Sequence, residues 1–163
     1  APFLIGGTPP GTASERASGD EPLTGAFDAR LLAQAFGNVV KNAAEAMEGV
    51  ERADGVRGAI RIVARRQGDT ARIDVVDNGK GLPRENRQRL LEPYMTTREK
   101  GTGLGLAIVK KIVEDHGGRL ELNDAPADFH GGRGAMVSMI LPCAPGRGGE
   151  ANLKETEKVD NGV

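Results

Sequence analysis

The chain has 163 residues, enough for one globular domain with a single hydrophobic core and ragged ends. Its 22 Lys and Arg nearly cancel 23 Asp and Glu, and aromatics make up only 3%, so neither nucleic acid nor an anionic membrane surface is indicated. Cys143 is the only cysteine, which excludes an intrachain disulfide or a cysteine-rich metal site, and no apolar run approaches the roughly 18–20 residues that span a bilayer.

Residues 1–25 are rich in Gly, Pro, Ser and Thr without hydrophobic periodicity. They read as a flexible linker, with a short apolar contact by Phe3, Leu4 and Ile5, and residues 1–7 are too short and uncharged for a signal peptide. Asp28 is placed to cap a helix running to about Met47, in which Leu31, Leu32, Ala35, Phe36, Val39, Val40, Ala43 and Met47 form one apolar stripe, and Gly49 stops it. Alternation predicts a strand over 59–66, and the turn Gln67-Gly68-Asp69 leads into a second strand over 71–77, so the two form an antiparallel hairpin. Pro83 and Arg84 begin a short helix ending near Leu91, followed by a polar connection over 92–102. A second long helix is expected from about Gly103 to Asp115, closed by Gly117-Gly118. Strands at 119–123 and 134–141, joined by a Gly-rich loop, complete a core of 26–143, and 144–163 read as a disordered polar tail. Such an order implies an α+β fold, one sheet with helices on one face.

Three stretches carry chemistry. Asn38 and Asn42 stand four residues apart on the first helix and share a face. Their amide oxygens suit a hard cation such as Mg²⁺, or else they belong to a solvated face with a helix-to-loop hydrogen bond. Asp77-Asn78-Gly79-Lys80-Gly81 closes the second hairpin strand, with Asp77 on the face of Ile73 and Val75. An inward carboxylate needs a donor, for which the exocyclic amine of adenine is suitable, and Gly79 and Gly81 would admit a flat ring. The alternative is a tight turn in which Asp77 caps its own loop.

Gly101-Thr102-Gly103-Leu104-Gly105-Leu106 opens the last helix, where glycines and free N–H groups make an anion site suited to a polyphosphate, or a flexible hinge. Its spacing matches neither a P-loop nor a Rossmann turn. Thr97, Arg98 and Lys100 lie just upstream, the two cations either reaching phosphates or merely solvated, and Tyr94 is read as an anchor packing this loop on the core.

An N-x-x-x-N helix, then D-x-G-x-G, an aromatic box and G-x-G-x-G-L resembles the ordered motif set of the histidine-kinase ATPase domain, of the superfamily that also holds DNA gyrase, Hsp90 and MutL. The runs Asn38-Val-Val-Lys-Asn-Ala-Ala-Glu-Ala46 and Glu92-Pro-Tyr-Met-Thr-Thr-Arg98 resemble the NtrY-type nitrogen-regulation sensor kinases most. The resemblance covers about 28–142 and implies the Bergerat fold, a two-layer sandwich of a mixed, mostly antiparallel sheet and helices, with a mobile lid over 84–102. It implies Asn42 as Mg²⁺ ligand, Asn38 near the phosphates, Asp77 on the adenine amine and Gly79 and Gly81 along the base. Tyr94 stands where the family more often has Phe, and Gly101, Gly103 and Gly105 would wrap the phosphates. Gly132-x-Gly134 resembles the last glycine box, with Ala135 where many members have Thr.

The family implies transfer of the γ-phosphate of Mg·ATP to a histidine on a separate dimerisation domain, and thence signalling to a response regulator. Neither His116 nor His130 matches the acceptor motif, and both read as structural or solvated. The chain is therefore expected to bind ATP or ADP as a monomer without labelling itself, as the cytoplasmic part of a kinase anchored in the inner membrane. Two other readings are an ATPase or anti-sigma-type serine kinase of the same superfamily, and a silent nucleotide-binding module. A gyrase-like ATPase would carry Glu at position 38.

Overall fold

A computed structural model describes residues 27–51, 53, 55–94 and 105–143, and the main chain of 13–18. Chain order is strand β1 (Ala13–Ser18), helix α1 (Ala29–Ala46), strands β2 (Ala59–Gln67) and β3 (Thr70–Asp77), and a 3-10 turn at Arg87–Leu91. Helix α2 (Gly105–Asp115), strand β4 (Arg119–Asp124), a second 3-10 turn at His130–Gly132 and strand β5 (Ala135–Pro142) follow. The strands form one sheet in the order β1-β2-β3-β5-β4, with β1 parallel to β2 and the other pairs antiparallel. This is the mixed, mostly antiparallel α+β sandwich expected.

β1 falls inside the segment read as linker, and that reading is corrected for Ala13–Ser18. The run Ala-Ser-Glu-Arg-Ala-Ser has no β-branched residue to signal a strand. It is recruited by the main chain of β2, which would otherwise be an open edge, with Ala13 opposite Ala59 and Ser18 opposite Ala64. Residues 1–12, 19–26 and the proposed tail at 144–163 lie outside the described residues.

Period-two alternation sorts the sheet's faces. Ile60 and Ile62 of β2, Ile73 and Val75 of β3, Leu120 and Leu122 of β4, and Val137, Met139 and Leu141 of β5 meet the helices. From above, α1 supplies Ala35, Val39 and Ala43, four residues apart, and α2 supplies Val109, Ile112 and Val113. Met139, Leu141, Val39, Val75, Val109 and Val113 are fully buried, each worth about 1.5–3 kcal/mol of apolar transfer. That burial outweighs helix propensity in fixing where the helices lie.

The ends of the helices are fixed by specific bonds. Asp28 Oδ1 accepts the N–H groups of Arg30 and Leu31 at 3.0 and 3.1 Å. At the end of α2, the N–H of Gly118 donates to Val113 O and that of Gly117 to Glu114 O, both at 2.9 Å, with Gly117 at φ 78°. This is a Schellman stop, and it turns the chain straight into β4.

Candidate functional site

The site grows from the C-terminal half of α1, because two distant segments close onto it. Asn42 is partly buried, and its amide lies against the first turn of α2: a Cβ added to Gly105 would stand 3.5 Å from Asn42 Nδ2 and 3.6 Å from Oδ1. Four residues on, the carbonyl of Ala46, at the last position of α1, accepts the N–H of Lys80 at 2.9 Å. A Cβ on Gly79 would come within 2.4 Å of that same carbonyl oxygen, so only glycine lets the turn after β3 press on the helix end. The amide of Asn42 and the turn that follows Asp77 are thereby mounted one helical turn apart on a single rigid element.

Asp77 ends β3 on the helix-facing side, opposite Ile60, and is only 4% exposed. Its Oδ1 accepts the N–H of Gly79 at 2.8 Å. The loop-capping arrangement thus exists, and it fixes the direction of the carboxylate.

Behind the turn sits Gly134, at φ 112°. A Cβ there would fall 1.8 Å from Asp77 O and 2.9 Å from Asn78 Cα. At Gly81, with φ 79°, a Cβ would stand 3.4 Å from Gly134 O. Gly79 and Gly134 are therefore demanded first by packing of main chain on main chain, and Gly81 by its φ. Ala135, which follows Gly134, is buried and faces Asp124 across the β4–β5 pair.

Asn38 lies partly exposed one turn before Asn42, on the same side of α1, and Leu106 packs against the hydrophobic core from α2. Helix α2 begins at Gly105. Thr97, Arg98, Lys100, Gly101, Thr102, Gly103 and Leu104 lie outside the described residues.

Two expectations about the loop before α2 are corrected. Residues 84–102 do not form one lid from end to end: Leu91 is 5% exposed in the main core, and Leu90 packs beside it. Arg87 donates from Nε to Pro83 O at 2.7 Å and from a terminal nitrogen to Asp124 Oδ1 at 2.6 Å. Tyr94 is not the anchor either, because it is 78% exposed at φ 64°. The apolar contact needed to hold this segment is already made by Leu91, three residues earlier.

Asn78 is the residue that the motif reading passed over. Period-two geometry points it away from Asp77, where a strand end is ordinarily solvated, yet it is only 2% exposed. Its Oδ1 accepts the N–H of Ala59 and its Nδ2 donates to Arg57 O, both at 2.8 Å. A polar residue placed between a carboxylate and a required glycine was the available signal.

Of the two histidines, His116 is structural and His130 is exposed. His116 accepts the Asp28 N–H at Nε2, 3.0 Å away, with Nδ1 at 2.7 Å from Ile112 O, so it ties the end of α2 to the start of α1. His130 is exposed beside Phe129. Among the described residues there is no cluster of His, Cys, Asp and Glu fit to hold a metal, and no helix long and apolar enough to cross a membrane.

Known proteins resemble this chain along the same stretch. The family described as histidine kinase-, DNA gyrase B- and HSP90-like ATPase matches residues 27–145. Nitrogen regulation protein NtrY of Azorhizobium caulinodans is 59% identical over 115 residues, 71% of this chain and 14% of the relative. The sensory histidine kinase/phosphatase NtrB of Rhodobacter capsulatus is 36% identical over 131 residues, 72% of this chain and 33% of the relative. The chain thus spans a third or less of the length of either.

Among solved structures, the mycobacterial sensor histidine kinase MprB superposes with a TM-score of 0.69 at 28% identity, covering 83% of this chain and 84% of that one. Full-length ShkA in complex with AMPPNP gives 0.57 at 28% identity, over 71% of this chain and 22% of that one. The buried Asp77 turn and the Asn42–Gly105 contact stand on the fold that this family shares. The chain belongs to the histidine kinase-, DNA gyrase B- and HSP90-like ATPases, as an ATP-binding domain of the NtrY-type histidine kinases.

Proposed function

We infer that this chain is the part of a two-component sensor kinase that holds Mg·ATP and presents its γ-phosphate to a histidine on a dimerisation domain. In that reading Asp77 accepts the adenine amino group, and the N-terminus of α2, with the glycine run before it, receives the polyphosphate. The Asn42 amide oxygen, beside that helix start, is an oxygen donor of the kind Mg²⁺ takes, and Asn38 lies next to it toward the phosphates. A magnesium ion bound there would offset charge on the phosphates during transfer.

This chain's residues do the positioning. Asp77 fixes the base, Asn42 and Asn38 orient the phosphate end, and Arg98 and Lys100 supply positive charge. The imidazole comes from outside the chain, and the phosphate then passes to a response regulator. The domain faces the cytoplasm, and the full-length protein is anchored in the inner membrane.

The observation that carries this reading is the contact of Asn42 with Gly105 one helical turn from the Ala46–Gly79 contact. It sets a cation-type amide, a helix start and a buried carboxylate around one end of α1. ShkA, similar to this chain in fold, is a full-length protein in complex with AMPPNP, an ATP analogue, which supports this reading.

The test is phosphotransfer in trans. The chain is incubated with γ-labelled ATP and magnesium, alone and with a separately produced dimerisation domain of an NtrY-type kinase. Acid-labile, base-stable label is expected on the added domain and not on this chain, with Asn42→Ala giving less label and needing more magnesium. Label that accumulates on serine, or on this chain itself, would overturn the reading.

A further inference from the structure

We propose that Asn78 is a positioning residue for adenine selection: its buried amide locks the turn so that Asp77 presents its carboxylate in one direction before any nucleotide arrives. The inference rests on the reading above, in which Asp77 recognises the adenine amine.

The geometry is that of a side chain standing in for a strand. β2 and β3 end their ladder at the pair Ile60–Asp77. One step beyond, the Asn78 N–H donates to Ala59 O at 3.3 Å, and its side-chain oxygen takes the Ala59 N–H at 2.8 Å. The side-chain amine then reaches further back, to Arg57 O at 2.8 Å. Asn78 thus engages two successive stretches of the chain entering β2, with an acceptor and a donor in fixed order. Only a carboxamide offers both at that spacing.

The remaining sides of the turn are closed by main chain. Ala46 O holds Lys80 and blocks any movement of Gly79 toward α1. Gly134 lies against Asp77 O and Asn78 Cα on the opposite side. The Asn78 amide adds a restraint from the β2 side, against rotation of the turn about the strand axis.

Rotation matters for selection because a carboxylate discriminates by what faces it. Adenine presents an amine donor at its 6-position, whereas guanine presents a carbonyl oxygen that a fixed carboxylate repels. A carboxylate free to swing loses that contrast while the polyphosphate contacts persist. Asn78 therefore acts on the ratio of ATP to GTP affinity, whereas a purely structural residue acts on stability alone.

The experiment titrates the whole chain calorimetrically with ATP and GTP in magnesium, well below the melting temperature. It compares wild type, Asp77→Asn, Asn78→Ala, Asn78→Asp and the core variant Val113→Ala. Asn78→Asp keeps the acceptor for Ala59 but sets a buried oxygen against Arg57 O, so it should lower the ratio at least as far as Asn78→Ala. With one directing hydrogen bond worth about 1 kcal/mol, the ATP-to-GTP ratio should fall by about fivefold in Asn78→Ala. Val113→Ala should melt lower and keep the wild-type ratio.

If Asp77→Asn leaves the ratio unchanged, the adenine reading of Asp77 fails. If Asp77→Asn lowers it and both Asn78 variants do not, the positioning role fails alone. Should the Asn78 variants not fold, wild-type NMR decides: slow-exchanging Asn78 amide protons in nucleotide-free protein, unmoved by ADP, support the proposal. Fast exchange that slows only on binding would overturn it.

Discussion

Glu121 is held on the outer face of the sheet by a chain of charges that crosses three strands. Arg72 of β3 donates to Asp74 at 2.9 Å, to Ser138 Oγ of β5 at 3.1 Å and to Glu121 of β4 at 3.1 Å, and Ser138 donates to Asp74 at 2.6 Å. Asp74 and Ser138 are buried, so the network compensates groups that would otherwise be stranded away from water. The Arg119 hydrogen bond, opposed by partial burial and helped by Arg72, holds the Glu121 carboxyl below its ordinary value of 4.5. A depressed folded-state pKa means that the carboxylate stabilises the fold above that ordinary value. The contribution is lost as pH falls through the lower, folded value. Glu121→Gln should therefore melt below wild type near neutral pH, and its melting temperature should decline less between about pH 5 and about pH 3. Asp128, also held low by Arg61, keeps part of the acid sensitivity in both proteins. Parallel acid limbs in thermal melts would remove Glu121 from this account.

At the scale of elements, the start of α1 can be weighed directly. Asp28 caps two helix N–H groups through Oδ1 while its own N–H is taken by His116. Asp28→Ala removes the cap and leaves the histidine contact, so urea unfolding should show a loss of about 1 kcal/mol. Asp28→Asn retains an acceptor and should lose well under half of that; equal losses would assign the effect to charge at the helix dipole instead. This cap was legible because a polar residue before an apolar stripe is a local signal, and the hairpin β2–β3 was legible for the same reason. β1 was not, since its pairing depends on the exposed edge of β2 and leaves no alternation in Ala13–Ser18. Of the proposed site, the positions of Asn42 on α1 and Asp77 at the end of β3 could be read from spacing, and the start of α2 was expected at about Gly103, where the described helix begins at Gly105. The bonds of Asn78 could not be so read, because Arg57 and Ala59 come to it from about twenty residues away. Tyr94 misled for the opposite reason: an aromatic in a loop reads as an anchor unless one knows that Leu91 already fills the core.

At the scale of the molecule, the described residues share one main core, and this decides how nucleotide should act on stability. Residues of α1, β2, β3, the Arg87–Leu91 turn, α2, β4 and β5 all enter the same apolar cluster, so none of these elements can melt and leave the others packed. The proposed site joins α1, the end of β3 and the start of α2, three members of that cluster. A ligand there binds only when all three are in place, and its binding energy is added to the single transition of the domain. At about 100 times the dissociation constant the gain is about 2.7 kcal/mol, which for a domain of this size raises the melting temperature on the order of 10 °C. Mg·ADP should therefore move the whole thermal transition upward while leaving it one transition, seen alike by far-ultraviolet circular dichroism and by calorimetry. Asp77→Asn should melt near the wild-type temperature without ligand and gain much less with it. A melt that split on adding nucleotide, with only part of the signal displaced, would show that the site is carried by a subdomain. The coupling of Asn42, Ala46 and the Asp77 turn through α1 would then not hold.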